Sequence, residues 1–158
     1  FIEPTQSIRA FSVKLKHNAN RILVDNKRVI LIDDSIVRGT TSIKIVQMMR
    51  DAGATEVHMR IAAPPIKYPD FYGIDTPIQE QLLAANNSLQ EMCSYIGADS
   101  LAFLTVDGLY KAMGHENGRD ATNPAYTDHC FTGDYPTQLQ DQKSDERIRQ
   151  LSLLSDRR

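Results

Sequence analysis

Two adjacent carboxylates, one glycine and three consecutive hydroxyl side chains lie within the ten residues 33–42. The carboxylates are Asp33 and Asp34, and the glycine is Gly39. Carboxylates accept hydrogen bonds from sugar hydroxyls and help to hold hydrated Mg²⁺. Backbone N–H groups at a helix start favour phosphate, and glycine lets the backbone approach a ligand closely. The segment therefore predicts a site for a phosphorylated, hydroxyl-bearing ligand.

The flanking residues supply the elements that must position such a site. Residues 29–32 are apolar and predict a buried parallel strand, which we expect at the centre of a sheet. Residues 41–51 have apolar positions at helical spacing, and Gly53 is expected to end that helix. Residues 57–62 predict the next strand. Ligands of open α/β sheets bind beyond the carboxyl ends of the strands, where this order places the two carboxylates.

A second interpretation of the same stretch is an ordinary charged turn between a strand and a helix. Thr40 or Thr41 would then be a simple N-cap, and acidic pairs at strand ends are common. The functional interpretation is favoured because carboxylates, glycine, Arg38 and hydroxyls all suit one ligand.

The rest of the chain predicts further alternation of helices and strands. Two short helices are expected at 77–85 and 89–96, a strand at 101–106, a helix at 107–113 and a polar surface excursion at 116–128. Val13 and Leu15 alternate with Lys14 and Lys16, which favours an edge strand.

Composition excludes several classes of protein. A net charge of −2 provides no broad basic field, so no nucleic-acid partner is expected. No apolar run is long enough to span a bilayer, and Glu3, Pro4 and Gln6 interrupt any signal-peptide core, so we expect a cytoplasmic protein without a membrane partner. Cys93 and Cys130 are too few for a disulfide framework.

The stretch at 33–42 resembles the phosphoribosyl-pyrophosphate (PRPP) loop of type I phosphoribosyltransferases, and its order of residues is similar to that of the glutamine PRPP amidotransferase family. The resemblance continues at 1–6, 18–20, 52–57, 63–65, 71–75, 96–101 and 131–136, and also includes Lys14 and Lys16. It implies an α/β fold, a type I phosphoribosyltransferase-like parallel sheet flanked by helices. Residues 1–137 would form the C-terminal part of that domain, which is N-terminally truncated here, and residues 138–158 a charged C-terminal tail.

The resemblance also implies a reaction and its residues. Ammonia from glutamine would displace pyrophosphate from PRPP to give 5-phosphoribosylamine, the first committed step of de novo purine nucleotide synthesis. The implied PRPP-binding residues are Asp33, Asp34, Ser35, Ile36, Val37, Arg38, Gly39, Thr40, Thr41 and Ser42. Asp33 and Asp34 would also bind Mg²⁺ and act in catalysis. Arg9, Lys14 and Lys16 lie in a locally basic segment, which is either a solvated face or, as the resemblance favours, a catalytic flap over pyrophosphate.

The family pattern also indicates what this chain lacks. The full enzymes have an N-terminal glutaminase domain with a cysteine at the mature N-terminus, whereas this chain starts at Phe1. We therefore expect a missing glutaminase domain, no activity of this chain alone with glutamine, and a homo-oligomer inhibited by purine nucleotides as the full-length protein. Some members have a four-cysteine iron–sulfur cluster with cysteines where this chain has Asp70, Pro124 and Thr127, so no cluster is expected.

Three alternatives stay open at this point. The chain could come from another type I phosphoribosyltransferase with a base as nucleophile. It could be a non-catalytic PRPP-binding regulator, although such regulators typically need a DNA-binding module and no basic face is evident. It could also be an inactive fragment that still folds around the site.

Overall fold

The computed structural model describes residues 18–74, 76 and 78–137, and it is an α/β structure built on parallel strands. The elements are α1 (Arg21–Val24), β1 (Arg28–Asp33), α2 (Thr40–Asp51), β2 (Glu56–Ile61), a 3₁₀ turn (Gln79–Gln81), α3 (Leu83–Asn86), α4 (Leu89–Ile96), β3 (Ser100–Phe103), α5 (Val106–Ala112) and α6 (His129–Thr132). The predicted parallel α/β class is confirmed.

The three strands of the described residues form one parallel sheet in the order β1, β2, β3. Asp33 lies opposite Ile61, and Ile61 in turn lies opposite Phe103. The backbone N–H of Ala62 donates to the carbonyl oxygen of Asp33, and that of Leu104 donates to Ile61, both over 2.9 Å. The three strands therefore end together, and Asp33 lies at their carboxyl ends, where ligands of this fold class bind.

The core lies between one face of this sheet and the helices α2, α3 and α4. Val57, Met59 and Ile61 point into it at alternate positions of β2, as the pleat of a strand requires. Helix α4 starts with a capping box, in which Ser88 Oγ accepts the N–H of Glu91 and the Glu91 carboxylate accepts the N–H of Ser88. This local signal explains why the predicted bounds of α4 agree with the observed ones.

Strand β1 differs from its prediction in two ways. It forms at the predicted place, but it lies at an edge of the described sheet, and β2 is the central strand. It is also not buried on both faces, because Ile30 and Ile32 are exposed in the described residues. The apolar run predicts a strand covered on both faces, whereas the helices of the described part of the chain cover the face that carries Leu31 and leave the other face open.

Two other elements are shorter or more broken than predicted. The helix predicted at 77–85 is a 3₁₀ turn and the short helix α3, separated by Leu82 in an extended conformation. The N–H of Leu83 donates to the carbonyl of Val37, a tertiary hydrogen bond that replaces a helical one. The strand predicted at 101–106 ends at Phe103, because Thr105 caps α5 by accepting the N–H of Gly108.

The polar surface segment predicted at 116–128 is exposed at 120–127, but Arg119 and Asp128, which flank this exposed part, are largely buried.

None of the helices in the described ranges is long and apolar enough to cross a membrane.

Candidate functional site

Two carboxylates follow one another where β1 ends. Asp33 is half-buried and Asp34 is exposed. Asp33 Oδ1 accepts the backbone N–H of Asp34 over 3.0 Å, and Asp34 Oδ1 accepts the N–H of Ser35 over 2.7 Å. Each carboxylate therefore holds the backbone of the residue that follows it, which fixes the path of the chain as it leaves the sheet.

The loop that follows is fixed to the core by one apolar side chain. Ile36 is 2% exposed and belongs to the hydrophobic core cluster, whereas Val37 and Arg38 are half-buried. Burying Ile36 brings the loop back onto the body of the protein just before α2 begins. We infer that Ile36 helps to shape the loop through this burial.

Helix α2 begins without a side-chain cap. Its N-cap residue is Gly39 at a φ of +78°, and no acidic residue lies in its first turn. The first N–H groups of a helix have no partner within the helix, so an uncapped start presents donors together with the positive end of the helix dipole. Thr40 and Thr41 are half-buried, and Ser42 is 2% exposed. Neither threonine is the N-cap that the alternative interpretation required.

Three residues from later in the chain hydrogen-bond to this loop or pack against it, and the sequence did not predict these contacts. Gln81 Oε1 accepts from Arg38 Nε over 3.1 Å, and the N–H of Leu83 donates to the carbonyl of Val37 over 2.9 Å. A Cβ at Gly39 would lie 2.8 Å from Leu83 Cδ2 and 3.2 Å from Tyr95 Cε1. The only local hint was that 81–83 fell in a predicted helix, which does not indicate what that helix touches.

The ten residues predicted to bind PRPP run from the end of β1 through the loop into the first turn of α2. The other predicted catalytic residues, Arg9, Lys14 and Lys16, lie outside the described residues. So do the tail at 138–158 and the edge strand predicted around Val13.

The donor set at the end of β1 suits Mg²⁺ that is shared with a substrate. In the described part of the chain, no group of three or more His, Cys, Asp or Glu side chains gathers around a metal position. Mg²⁺ usually keeps several waters and takes only one or two protein carboxylates together with substrate phosphates. Asp33 and Asp34 fit this mode, in which two protein carboxylates and the substrate phosphates share the ion, and they do not form a complete protein cage.

A separate polar cluster lies around Asp128, at the N-terminus of α6. Arg119 Nε donates to Asp128 Oδ2 over 2.6 Å, and their side chains are only 10% and 4% exposed. Tyr110 and Thr132 also donate to this carboxylate. Burial alone would raise the pKa of Asp128, but the hydrogen bonds from Arg119, Tyr110 and Thr132 outweigh it and lower that pKa. The cluster is fully paired, and we interpret it as structural.

A second buried pair joins α6 to the loop that contains Asp70. His129 Nε2 and Asp70 Oδ2 are 2.8 Å apart, and their side chains are 4% and 5% exposed. Burial would raise the pKa of Asp70, but donation from the N–H groups of Ile74 and Tyr72 and from His129 lowers it. The N–H groups of Lys67 and Tyr68 donate to the carbonyl of Cys130 in the same region.

The absence of an iron–sulfur cluster stays a prediction.

Aromatic side chains surround this second pair. The ring of Tyr72 lies edge-on to His129 at 5.1 Å between centroids, and Phe71 lies 5.5 Å from Tyr135. The contacts of Phe71 and Tyr72 favour packing.

Comparison with known proteins agrees with the geometry. No model of a protein family matches the chain. An amidophosphoribosyltransferase of Rhizobium etli is 60% identical over 156 residues, which are 98% of this chain and 31% of that protein. An amidophosphoribosyltransferase of Bacillus subtilis is 51% identical over 139 residues, which are 88% of this chain and 29% of that protein.

One solved structure is similar to this chain in both fold and sequence. It is the glutamine PRPP amidotransferase of B. subtilis in complex with ADP and GMP. The two chains match with a TM-score of 0.72 at 51% identity, and the matched region is 89% of this chain and 31% of the B. subtilis chain. The chain therefore spans under a third of the length of these relatives. The resemblance seen in the sequence is confirmed, and the chain is a homologue of one part of the amidophosphoribosyltransferases.

Proposed function

We propose that this chain forms the PRPP-binding part of an amidophosphoribosyltransferase. The observation that carries the proposal is the order of parts at the end of β1, in a chain homologous to those enzymes. Two consecutive carboxylates are followed by a loop and by an uncapped helix start without acidic residues. One end of this arrangement suits ribose hydroxyls and Mg²⁺, and the other suits a phosphate.

In the proposed reaction, ammonia attacks C1 of PRPP and pyrophosphate leaves with the C1–O bonding electrons. Positive charge develops on the ribose ring, the new ammonium group on C1 loses one proton to solvent, and the products are 5-phosphoribosylamine and pyrophosphate. No protein nucleophile is needed, so catalysis consists of positioning and electrostatic stabilisation. Mg²⁺, when bound with PRPP, would neutralise the leaving pyrophosphate.

The residues of the site would divide this work. Asp33 and Asp34 would accept hydrogen bonds from the 2′ and 3′ hydroxyls, and their negative charge would lie on the side where the ribose becomes positive. The N–H groups from Ile36 to Ser42, with the hydroxyls of Thr40 and Thr41, would hold the 5′-phosphate.

Further parts of the enzyme belong to the longer protein that we propose contains this chain. A glutaminase domain would supply ammonia from glutamine, and Arg9, Lys14 and Lys16 would close over pyrophosphate as a cationic flap. The B. subtilis relative was solved with ADP and GMP, which supports purine nucleotides as inhibitors of the longer protein. We also propose that the longer protein is a cytoplasmic homo-oligomer, with residues 1–137 in its phosphoribosyltransferase domain and 138–158 as a tail.

The first experiment measures the affinity of this chain for PRPP by calorimetry, with and without Mg²⁺. We expect Mg²⁺-dependent binding that is strongly weakened by D33N/D34N, because the sugar and the metal lose charged oxygen ligands. The control, D51N/E116Q, removes two exposed acidic charges elsewhere and should bind normally. Unchanged Mg-PRPP affinity in D33N/D34N would contradict the assigned roles.

The second experiment separates the proposal from its alternatives. In the longer protein, pyrophosphate release from Mg-PRPP should occur with glutamine, and with saturating ammonium even after substitution of the glutaminase cysteine. Release that requires a purine or pyrimidine base would instead indicate a base-specific phosphoribosyltransferase. Tight PRPP binding without release under any of these conditions would indicate a regulator.

A further inference from the structure

The guanidinium of Arg38 meets an uncharged partner in the middle of the loop between β1 and α2. Its Nε donates to Gln81 Oε1 over 3.1 Å. Arg28, Arg50 and Arg119 instead each pair with a carboxylate over 2.6 to 2.7 Å. Arg60, like Arg38, donates to uncharged partners, the Met59 carbonyl and Ser100 Oγ. Arg38 forms no ion pair with any of the residues that the structure describes. An amide oxygen fixes the direction of a guanidinium but leaves its positive charge uncancelled.

We propose that Gln81 is a positioning residue that orients Arg38, with its full charge, toward the 5′-phosphate of PRPP. This inference rests on the proposed function, because it concerns how the same loop recognises its ligand. Arg38 immediately precedes Gly39, the N-cap of α2, so its side chain starts next to the uncapped N–H groups. A guanidinium is well suited to phosphate because its planar N–H groups can donate in pairs.

Gln81 is itself held by a compact local arrangement. Asn86 Nδ2 donates to the carbonyl oxygens of Gln79, Glu80 and Leu82 over 3.0 to 3.1 Å, which ties down the 3₁₀ turn. Leu82 is fully buried directly after that turn. The side chain of Gln81 therefore projects from an anchored backbone toward Arg38.

A second contact joins the same two segments beside the first. The N–H of Leu83 donates to the carbonyl of Val37, the residue before Arg38. The turn and the start of α3 thus hold the loop through one side-chain hydrogen bond and one backbone hydrogen bond. The backbone bond positions the loop, and among the described residues the bond to Gln81 is the side-chain hydrogen bond that orients the guanidinium.

The identity of residue 81 matters because a carboxylate there would have the opposite electrostatic effect. Glutamate has nearly the same shape and could still accept from Arg38, but it would neutralise the guanidinium and place negative charge near the phosphate. Leucine would keep much of the volume and remove the acceptor. The two variants therefore separate orientation from charge.

The test is calorimetric titration of Mg-PRPP into this chain and its variants. We expect Gln81→Leu to bind roughly three- to tenfold more weakly, the range for one typical intramolecular hydrogen bond, because this bond is exposed to solvent. Gln81→Glu should also bind more weakly, with a loss that grows as the salt concentration is lowered, because screening then decreases. Gln79→Leu is the matched control, since the Gln79 side chain makes no hydrogen bond to the described residues; it should stay within about twofold, as expected for a surface change.

A double-mutant cycle distinguishes positioning from a general structural role. If Gln81 acts through Arg38, Gln81→Leu should have no further effect in an Arg38→Leu background. Equal losses in both backgrounds would overturn the inference, and so would wild-type affinity in Gln81→Leu. Circular dichroism and urea unfolding check that each variant is folded, and the nearly isosteric Gln81→Glu provides a second test if Gln81→Leu unfolds. Failure of the wild-type chain to bind Mg-PRPP would instead refute the proposed function itself.

Discussion

The N–H of Leu83 donates to the carbonyl oxygen of Val37 over 2.9 Å, across the gap between α3 and the loop that follows β1. This hydrogen bond interrupts what would otherwise be one continuous helix, because Leu82 must be extended to present Leu83 to the loop. The loop and the short helix therefore support one another. Variants on the α3 side should consequently affect both stability and ligand binding.

Leu83→Ala should destabilise the protein and weaken Mg-PRPP binding. Leu83 is 7% exposed, and truncating a buried leucine typically costs about 3 kcal/mol of the free energy of unfolding. Urea unfolding measures this loss and calorimetry measures the affinity. The control is Leu89→Ala at an exposed position, which should cost less than about 1 kcal/mol. Equal losses in the two variants would show that Leu83 does not support the loop.

Gly39→Ala should disturb the start of α2. A φ of +78° costs an L-residue roughly 1–2 kcal/mol, and the new Cβ would crowd Leu83 and Tyr95. Gly114→Ala provides the matched control, because Gly114 has a φ of +94° but no atom within 4 Å of an added Cβ. We expect Gly39→Ala to be the less stable variant in urea and the only one with weakened Mg-PRPP binding. Normal ligand affinity in Gly39→Ala would count against a phosphate site at this helix start.

Arg119→Met should be strongly destabilising because it leaves Asp128 buried without its charged partner. Removing one member of a buried ion pair typically costs about 3 kcal/mol or more. Adding Asp128→Asn to that variant should recover part of the loss in urea unfolding. Arg28→Met, which breaks the exposed pair with Glu56, should change stability little. No recovery in the double variant would mean that the pair is not the source of the loss.

The buried Asp70–His129 pair should make stability depend on acid pH. The pKa of Asp70 is lowered in the folded state, so its contribution is fully present above the unfolded value of about 3.9. That contribution is lost as the pH falls from there through the lower folded value. Asp70→Asn should therefore be less stable than the wild type near neutral pH, and the difference should shrink as the pH is lowered. Urea unfolding at successive pH values measures the difference, and curves that stay parallel would exclude this role.

The local signals in the sequence were strong wherever the hydrogen bonds and the periodicity are themselves local. Helix α2 was predicted to within one residue, and α4 was predicted with its observed bounds because Ser88 and Glu91 encode its start. The carboxylates at 33 and 34 were placed correctly at a strand end. Their position follows from a short apolar run and the turn chemistry next to it.

The tertiary structure alone determined which distant residues meet this local motif. Gln81 and Leu83 contact the loop, Arg119 finds Asp128, and only one face of β1 is covered in the described residues. Such contacts join segments far apart along the chain, and they depend on how whole elements pack rather than on the pattern within any one of them. The sequence by itself thus determined the chemistry of the site, whereas packing decided what holds it in place.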